Sequence, residues 1–250
     1  MMRHLTLLFL SACTTVPGTG RSQFNIFPLS EDVRLGDAAW KNTLETEKIL
    51  PVDSPEHQRV DSIMRRLIAA TQQQHPTLAT TFEWDWRIIQ DNSQINAWCL
   101  PGGKMAVYTG MINFVENDDQ LAAVMGHEIA HAVARHGTER LSQTQAAQVV
   151  LAAADGELND REMRMAESAF GLGVALPFSR AHEHEADELG IYLSAAAGYD
   201  PKEAVNLWRA MEQKDGRTPE FLSTHPSPSN RAAKITALLP TAERIRGRNK

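Results

Sequence analysis

The sequence predicts an α+β fold that is mainly helical and contains one small β-sheet. Apolar residues recur at helical spacing toward both ends of the chain, whereas residues 82–108 hold an alternating apolar and polar stretch and a Pro-Gly-Gly turn. A sheet segment is therefore preceded by helices and followed mostly by helices. This order is typical of an α+β domain and differs from the regular strand and helix alternation of doubly wound sheets.

The composition is that of a folded and mildly acidic domain. Of the 250 residues, 42% are hydrophobic and 22% are charged, and the formal net charge is −6. A chain of this length buries a large core without the help of disulfides. Because there is no basic excess, nucleic acid is not expected as a partner.

The first 13 residues, MMRHLTLLFLSAC, join a basic start to an apolar run, which is typical of a secretion signal. The ending resembles the lipobox of bacterial lipoproteins and implies that Cys13 is acylated, with lipid as the membrane anchor. A plain signal peptide and a buried N-terminal segment are the alternatives. We predict a signal peptide over residues 1–12, a flexible tether rich in Thr, Pro and Gly over 13–30, and one folded domain over 31–250. Cys99 is then expected to be unpaired and buried.

The folded domain begins with a helix and a small sheet. Residues 54–72 form an amphipathic pattern in which Ser54 is placed to cap the helix and Pro55 fits its first turn. Alternation over residues 82–89 predicts a half-buried strand. The Pro-Gly-Gly at 101–103 separates two apolar runs. We interpret this segment as a hairpin or a broad turn.

Helices make up the rest of the domain. Asn117 and Gln120 are placed to open a helix that stops at Gly137. Residues 141–176 are expected to form two helices joined by a loop that covers the site described next. The later segments are a helix over residues 179–198, a helix from residue 200, a loop at 223–230 and a short helix over 231–239.

The helix that starts at Asn117 carries the stretch HEIAH at 127–131. Successive helical residues turn by about 100°, so His127 and His131 lie on one face about one turn apart. Both imidazoles then reach one ion at about 2.0 to 2.1 Å, and Glu128 projects to the side, where it reaches a water at the metal. The alternative is a solvated helix face that carries incidental charge.

Burial favours the metal site. The neighbouring residues are apolar, and three buried ionisable groups need a partner such as a divalent cation. A catalytic zinc site also needs a third protein ligand and an open position for water. One class of such sites takes a histidine six residues after the second, but Gly137 stands there, and His136 misses the position by one residue. We therefore interpret His136 as a surface or helix-end histidine near the last helical carbonyls.

The segment SRAHEHEADELG at 179–190 offers the third ligand. Glu183 and Asp187 stand four residues apart on one helix face, so we expect Glu183 to bind the metal and Asp187 to orient a ligand histidine. Glu185 is turned about 200° from Glu183 and is expected to point elsewhere. His182, Glu185 and Glu188 are assigned to flanking or solvated positions. His184 is either solvated or lines the cleft.

Together these motifs resemble the zinc metallopeptidases related to the CAAX prenyl protease and HtpX, and within them the soluble periplasmic branch typified by BepA and LoiP. The shared stretches are NAWCLPGGKMAVYTG at 96–110, HEIAH at 127–131, EHEAD at 183–187 and THPSPSNR at 224–231. The resemblance covers roughly residues 92–232. It implies a gluzincin-type metalloprotease domain over 31–250 with its small sheet beside the active-site helix. It also implies one Zn²⁺ held by His127, His131 and Glu183, and endopeptidase activity on polypeptide substrates.

Three further roles complete the predicted site. Glu128 is expected to act as general base and then general acid. The resemblance places His225 near the metal, either as the group that stabilises the oxyanion or as a fourth ligand that holds the enzyme latent, with Arg231 bracing the same region. The segment 96–100 is a candidate edge strand for the substrate, with Asn96 and Ala97 as contact residues. An internal core strand is the alternative.

The location follows from the predicted anchor. Thr14 follows Cys13 where an aspartate would favour the inner membrane, so the sequence predicts a lipid-anchored protein of the cell envelope, at the outer membrane and facing the periplasm. Quality control of misfolded envelope proteins is the hypothesis for its role, with envelope assembly or quality-control factors as candidate partners. Two other functions stay open: a noncatalytic, zinc-stabilised assembly or chaperone factor with four closed ligands including His225, and a metallohydrolase of a nonpeptide substrate.

Overall fold

The computed structural model describes residues 13–155, 178–212, 219–225 and 231–248, and for Cys13 and residues 147–155 it describes the backbone only. Within these ranges, every helix is too short or too polar to span a bilayer. The predicted α+β class is confirmed, since helices dominate and the strands form two small sheets. In chain order the elements are β1 (Cys13–Thr15), β2 (Ser22–Phe24), α1 (Leu29–Thr46), α2 (Pro55–Gln74), α3 (Pro76–Thr81), β3 (Asp85–Ile89), β4 (Ala97–Cys99), β5 (Lys104–Tyr108), α4 (Thr109–Phe114), α5 (Asp118–Val133), α6 (His136–Asp155), α7 (Arg180–Ala196), α8 (Lys202–Glu212), α9 (Glu220–Thr224) and α10 (Arg231–Arg248).

The three-stranded sheet has the order β3-β5-β4, with β3 parallel and β4 antiparallel to the central strand β5. β4 and β5 are joined by the Pro-Gly-Gly turn, in which Gly102 and Gly103 take positive φ values of 80° and 95°. Gly103 also lies so close to the Trp84 ring that a Cβ would come within 2.8 Å of it. β4 forms one edge of the sheet and packs against α5. The sheet therefore lies beside the helix that carries HEIAH.

The main core lies between this sheet and helices α2, α5, α7, α8 and α10. α5 packs most extensively against α7, and the two helices cross at Gly126 and Gly190. A Cβ on Gly126 would come within 2.9 Å of the Gly190 carbonyl oxygen, so the helices approach this closely only because both residues lack side chains. The crossing brings HEIAH of α5 against the first turns of α7.

The N-terminal segment differs from the flexible tether expected over residues 13–30. β1 and β2 form an antiparallel hairpin that packs on the body of the domain. Val16 is buried, and the Gln23 amide donates to the carbonyl of Ala134 at 3.3 Å. Thr and Gly in this stretch indicated flexibility, but buried side chains and hydrogen bonds to α5 and α6 hold it in place. The predicted signal peptide at 1–12 lies outside the described residues, and acylation of Cys13 stays a prediction.

The helix predicted to stop at Gly137 is two helices. α5 ends at Val133 and α6 begins at His136, because Arg135 takes a left-handed φ of 57° between them. The Arg135 guanidinium donates to both carboxylate oxygens of Asp32, at 2.7 and 2.8 Å, and to the carbonyl of Phe27 at 2.8 Å. These contacts from residues about one hundred positions away hold the unusual turn. α6 runs to Asp155, and the rest of the two-helix prediction over 141–176 lies outside the described residues.

Side-chain caps open three helices that frame the site, and those at Ser54 and Asn117 agree with the sequence prediction. The Ser54 side chain accepts from His57 N–H at the start of α2, and Asn117 accepts from Gln120 N–H at the start of α5. Ser179 accepts from His182 N–H at the start of α7. α10 extends well past the predicted end at residue 239 and contains Pro240.

Candidate metal centre

Four buried side chains converge where α5, α7 and α9 meet. His127 and His131 come from α5, Glu183 from the first turn of α7, and His225 from the residue that follows α9. Each offers one donor atom, and these four atoms all lie within 4.8 Å of one another. All four side chains are at most 3% exposed. This is the one group of its kind within the described parts of the chain.

The spacing of the donor atoms fits a single tetrahedral ion. Ligands about 2.0 to 2.1 Å from a shared zinc would lie about 3.3 to 3.4 Å apart. The Nε2 atoms of His127 and His131 are 3.1 Å apart, and His225 Nδ1 is 3.3 Å from His127 Nε2. Glu183 Oε1 lies 3.3 Å from His131 Nε2 and 3.0 Å from His225 Nδ1. Three imidazoles and a carboxylate are also the donor types that zinc prefers.

The charge of the group points to a bound cation as well. Burial holds the pKa of His131 well below its ordinary value, which keeps the ring neutral and able to donate a lone pair. Although burial opposes its ionisation, His225 and His131 hold the pKa of Glu183 far below its ordinary value. Glu183 Oε2 accepts no hydrogen bond from the described residues, although Arg231 Nη1 lies 3.0 Å away. A metal ion would satisfy this buried carboxylate.

We call the four residues His127, His131, Glu183 and His225 the ligand group. Glu128 lies beside this group and is not part of it. Its Oε1 is 3.4 Å from His225 Nε2 and accepts no hydrogen bond from any described residue. Burial raises the pKa of Glu128, and the nearby backbone N–H of Cys99 opposes this only weakly. A carboxylate with a raised pKa next to a metal site is suited to exchange protons.

Asp187 and Arg231 lie next to the His127 ring and are not part of the ligand group. Asp187 Oδ1 lies 3.1 Å from His127 Nδ1, on the side of the ring away from the ligand group. Arg231 donates to both carboxylate oxygens of Asp187, at 2.7 and 2.8 Å, and its guanidinium lies over the Trp208 ring at 3.4 Å from the ring centroid. This geometry suits Asp187 to orient His127, and Arg231 lies where it compensates the buried charge of Asp187.

His136 and Glu185 have contacts that differ from those expected. His136 is fully buried, so it is not a surface histidine. It does lie at a helix end, as the first residue of α6, but its Nδ1 lies 2.9 Å from His131 Nδ1 and its Nε2 faces Glu185, so the ring does not face the last helical carbonyls as expected. Glu185 lies 2.9 Å from His136 Nε2 and forms an ion pair with Arg21 at 2.7 Å. His182 is buried too, whereas His184 is exposed. As expected from the helix period, Glu185 points away from Glu183. It is nevertheless buried, because both of these faces of α7 are covered by other parts of the chain.

The candidate substrate edge lies next to Glu128. Asn96 and Leu100 direct their backbone groups to β5, so the alternation along β4 turns those of Ala97 and Cys99 away from it. The Asn96 side chain accepts from the N–H of Ala97 at 2.9 Å. Both Asn96 and Ala97 are buried, which is the burial expected of the alternative, an internal core strand.

Comparison with known proteins supports a peptidase. Residues 54–239 match the family model described as Peptidase family M48. The mitochondrial metalloendopeptidase OMA1 of Schizosaccharomyces pombe is 34% identical over 233 residues, which cover 91% of this chain and 67% of that protein. Human mitochondrial metalloendopeptidase OMA1 is 34% identical over 65% of this chain and 34% of its own length. The beta-barrel assembly-enhancing protease of Escherichia coli is 26% identical over 90% of this chain and 47% of that protein.

These relatives correct two expectations. The predicted location at an outer membrane facing the periplasm is wrong, because the relatives at 34% identity are mitochondrial proteins. The expected branch, typified by BepA and LoiP, fits less well than the OMA1 proteins, since the E. coli protease shares fewer residues with this chain.

The broader expectation of a metallopeptidase is confirmed by the family match and by relatives named metalloendopeptidases. The chain spans between about a third and two thirds of the length of the three relatives described above. The buried histidines and glutamates lie within the matched range, and the chain belongs to peptidase family M48.

Proposed function

We propose that the chain is a zinc-dependent endopeptidase that hydrolyses peptide bonds in polypeptide substrates. The observation that carries this proposal is the convergence of four buried donor atoms within 4.8 Å, with Glu128 beside them. In the proposal His127, His131 and Glu183 hold the zinc. The ion would supply Lewis-acid polarisation of a water and of the substrate carbonyl.

Glu128 is the proposed proton carrier. Its carboxylate takes the proton of the attacking water and later delivers it to the leaving amine. The raised pKa of Glu128, caused by burial, supports this role because a base with a pKa closer to neutrality both accepts and returns a proton readily. Asp187 holds His127 in the tautomer that leaves Nε2 free to bind the ion.

We propose that the substrate backbone pairs with β4, the edge strand of the described sheet, near Asn96 and Ala97. The backbone carbonyls of Ala97 and Cys99, which face away from β5, support this, since an added strand binds without reading most side chains. Cys99 N–H lies near the Glu128 carboxylate, so a peptide along this edge would pass the proposed base.

His225 has two proposed roles that differ in their consequence. Its Nδ1 is one of the four donor atoms of the ligand group. This supports a role for His225 as a fourth ligand that holds the enzyme latent. Displaced from that position, its ring could instead stabilise the oxyanion. A second function is favoured by the same observation: four closed and buried ligands also suit a noncatalytic, zinc-stabilised assembly or chaperone factor.

Quality control of misfolded proteins at a membrane stays a prediction. The name of the E. coli relative, beta-barrel assembly-enhancing protease, supports it because it joins proteolysis to the assembly of other proteins. A lipid anchor at Cys13 and specific protein partners are likewise predictions.

The test of the proposed function is cleavage of an unfolded protein such as casein by the zinc-loaded chain. We expect cleavage that stops with EDTA and returns with zinc, and a Glu128→Gln variant that binds zinc normally but cleaves at least about a hundredfold more slowly. Undiminished cleavage by Glu128→Gln would remove Glu128 as the base. Zinc binding without cleavage in wild type and in His225→Ala would favour the noncatalytic function.

A further inference from the structure

A second cluster of polar and ionisable groups, most of them buried, lies on the side of His131 away from the ligand group. We call it the Arg21 network, and it joins the β1–β2 hairpin to the start of α6 and to α7. Its members are Thr19, Arg21, His136, Glu139, His182 and Glu185. The proposed reaction uses none of these residues.

The contact between His131 and His136 allows one arrangement of protons when His131 binds a metal. His131 Nε2 belongs to the ligand group and must then carry a lone pair, so its proton lies on Nδ1. His131 Nδ1 faces His136 Nδ1 at 2.9 Å, and His136 must therefore accept there. The proton of His136 then lies on Nε2, which faces Glu185 Oε2 at 2.9 Å. Each ring thus has a defined tautomer and a defined orientation.

Glu185 is itself held by the N-terminal hairpin. Its carboxylate accepts from the Thr19 hydroxyl and, at 2.7 Å, from Arg21 Nε. The other end of the same guanidinium donates to both oxygens of Glu139, at 2.9 and 2.6 Å. Arg21 therefore connects two nearly buried carboxylates, one on α6 and one on α7, through three hydrogen bonds from one planar guanidinium.

His182 limits the movement of His136. The two imidazoles are stacked with centroids 4.4 Å apart and an angle of 17° between their planes. His182 Nε2 lies 3.2 Å from Glu139 Oε2, which places the stacked ring on the same carboxylate that Arg21 binds. The His136 ring is therefore fixed by a hydrogen bond at each nitrogen and by a neighbour on its face.

We propose that His136 is a positioning residue for His131, and that Glu185 and Arg21 hold His136 in the orientation this requires. The proposal rests on the proposed function of the metal centre and assigns the N-terminal hairpin to that centre. It gives His131 a support that parallels the Asp187 and Arg231 support of His127: in both cases the ring's second nitrogen is bound and an arginine lies at the far end. Outer partners of this kind typically change metal affinity by about 10 to 100-fold.

The test measures zinc affinity by competition with a chromogenic chelator, together with the visible absorption spectrum of the Co²⁺-substituted chain. His136→Leu removes the acceptor for His131 and should weaken zinc binding by about 10 to 100-fold and alter the Co²⁺ spectrum. His136→Asn keeps an acceptor at the position of Nδ1, so it should recover most of the affinity. His57→Leu is the matched control, since it removes another buried imidazole from α2. It should leave both measurements unchanged.

Arg21→Gln tests the same proposal without removing a buried ring, which matters if His136→Leu does not fold. It should lower zinc affinity in the same direction, and Arg21→Lys should recover only part of the loss because Lys cannot bind both carboxylates in a fork. Wild-type zinc affinity and an unchanged Co²⁺ spectrum in both His136→Leu and Arg21→Gln would overturn the positioning role while leaving the proposed function intact. A wild-type chain that binds no zinc would overturn both.

Discussion

Gly190 lies directly against the backbone of His127, so that a Cβ at position 190 would come within 2.8 Å of both the Cα and the N of His127. This contact sets the distance between α5 and α7. Because Glu183 stands two turns before Gly190 on α7, the same contact sets how closely its carboxylate approaches the two histidines of α5.

Gly190→Ala should therefore loosen the metal centre from a distance. The added methyl group meets backbone that cannot move aside, so we expect a loss of about 1 to 3 kcal/mol in the free energy of unfolding. Zinc affinity should fall as well. Gly247→Ala in α10 is the control, since nothing lies within 4 Å of its Cβ position. Urea unfolding and zinc titration check both variants, and a Gly190→Ala chain as stable as wild type would contradict the close crossing.

Arg231→Met should destabilise the chain by removing a buried cation. Arg231 is 1% exposed and compensates Asp187 and Glu183, so breaking these pairs is expected to cost about 3 to 5 kcal/mol. Adding Asp187→Leu to Arg231→Met removes one of the uncompensated carboxylates and should recover part of the loss. Chemical denaturation of the single and double variants measures this coupling. If the double variant loses as much stability as the two single variants together, the ion pair between Arg231 and Asp187 is not supported.

His225→Ala tests which role His225 has. If its Nδ1 closes the ligand group at rest, the variant should keep zinc through the other three ligands and cleave casein faster than wild type. Slower cleavage with zinc retained would indicate that His225 stabilises the transition state. The measurement is casein turnover normalised to bound zinc.

The Arg21 network should make stability depend on pH under acidic conditions. Burial opposes ionisation of both Glu139 and Glu185. Even so, Arg21 and His182 lower the pKa of Glu139 to about 2. His136, Thr19 and Arg21 likewise lower the pKa of Glu185 to about 2. Since these pKa values are lower when the chain is folded, the unfolded chain binds more protons as pH falls. The stability they contribute is thus full above about pH 4.5 and is lost toward about pH 2.

Urea unfolding of the EDTA-treated chain at several pH values between about 3 and 6 checks this dependence. Glu139→Gln removes one of the two carboxylates, so its stability should change less steeply with pH than that of wild type. Equal slopes would show that Glu139 does not titrate with a lowered pKa.

The parts of the site that could be predicted lie on regular helices. His127 and His131 share a face because of the 3.6-residue period, and the same period puts Glu183 and Asp187 on one face of α7. A hydrogen-bonding cap at Ser179 and the Pro-Gly-Gly turn also follow from local rules. Local periodicity was sufficient for these residues because each contact lies within one element or one turn of it.

The parts that could not be predicted depend on residues far away in the sequence. His136 reaches His131 only because Arg135 turns the chain, and that turn is held by Asp32. Glu185 is buried because the hairpin near Arg21 covers its side of α7. A composition rich in Thr and Gly gave no sign of this packing. A histidine five residues after a metal-binding histidine, followed by a carboxylate on the next ligand helix, is the signal that could have drawn attention to them.

In the proposed function, donors from two separate helices, α5 and α7, share one zinc ion. The most direct test of this sharing is the zinc dissociation constant of Glu183→Ala, measured beside Glu188→Ala, which changes a less buried glutamate on the same helix. We expect wild type and Glu188→Ala to bind one zinc per chain with the same affinity, and Glu183→Ala to bind it at least about tenfold more weakly. Zinc held by Glu183→Ala as tightly as by wild type would show that Glu183 is not a ligand.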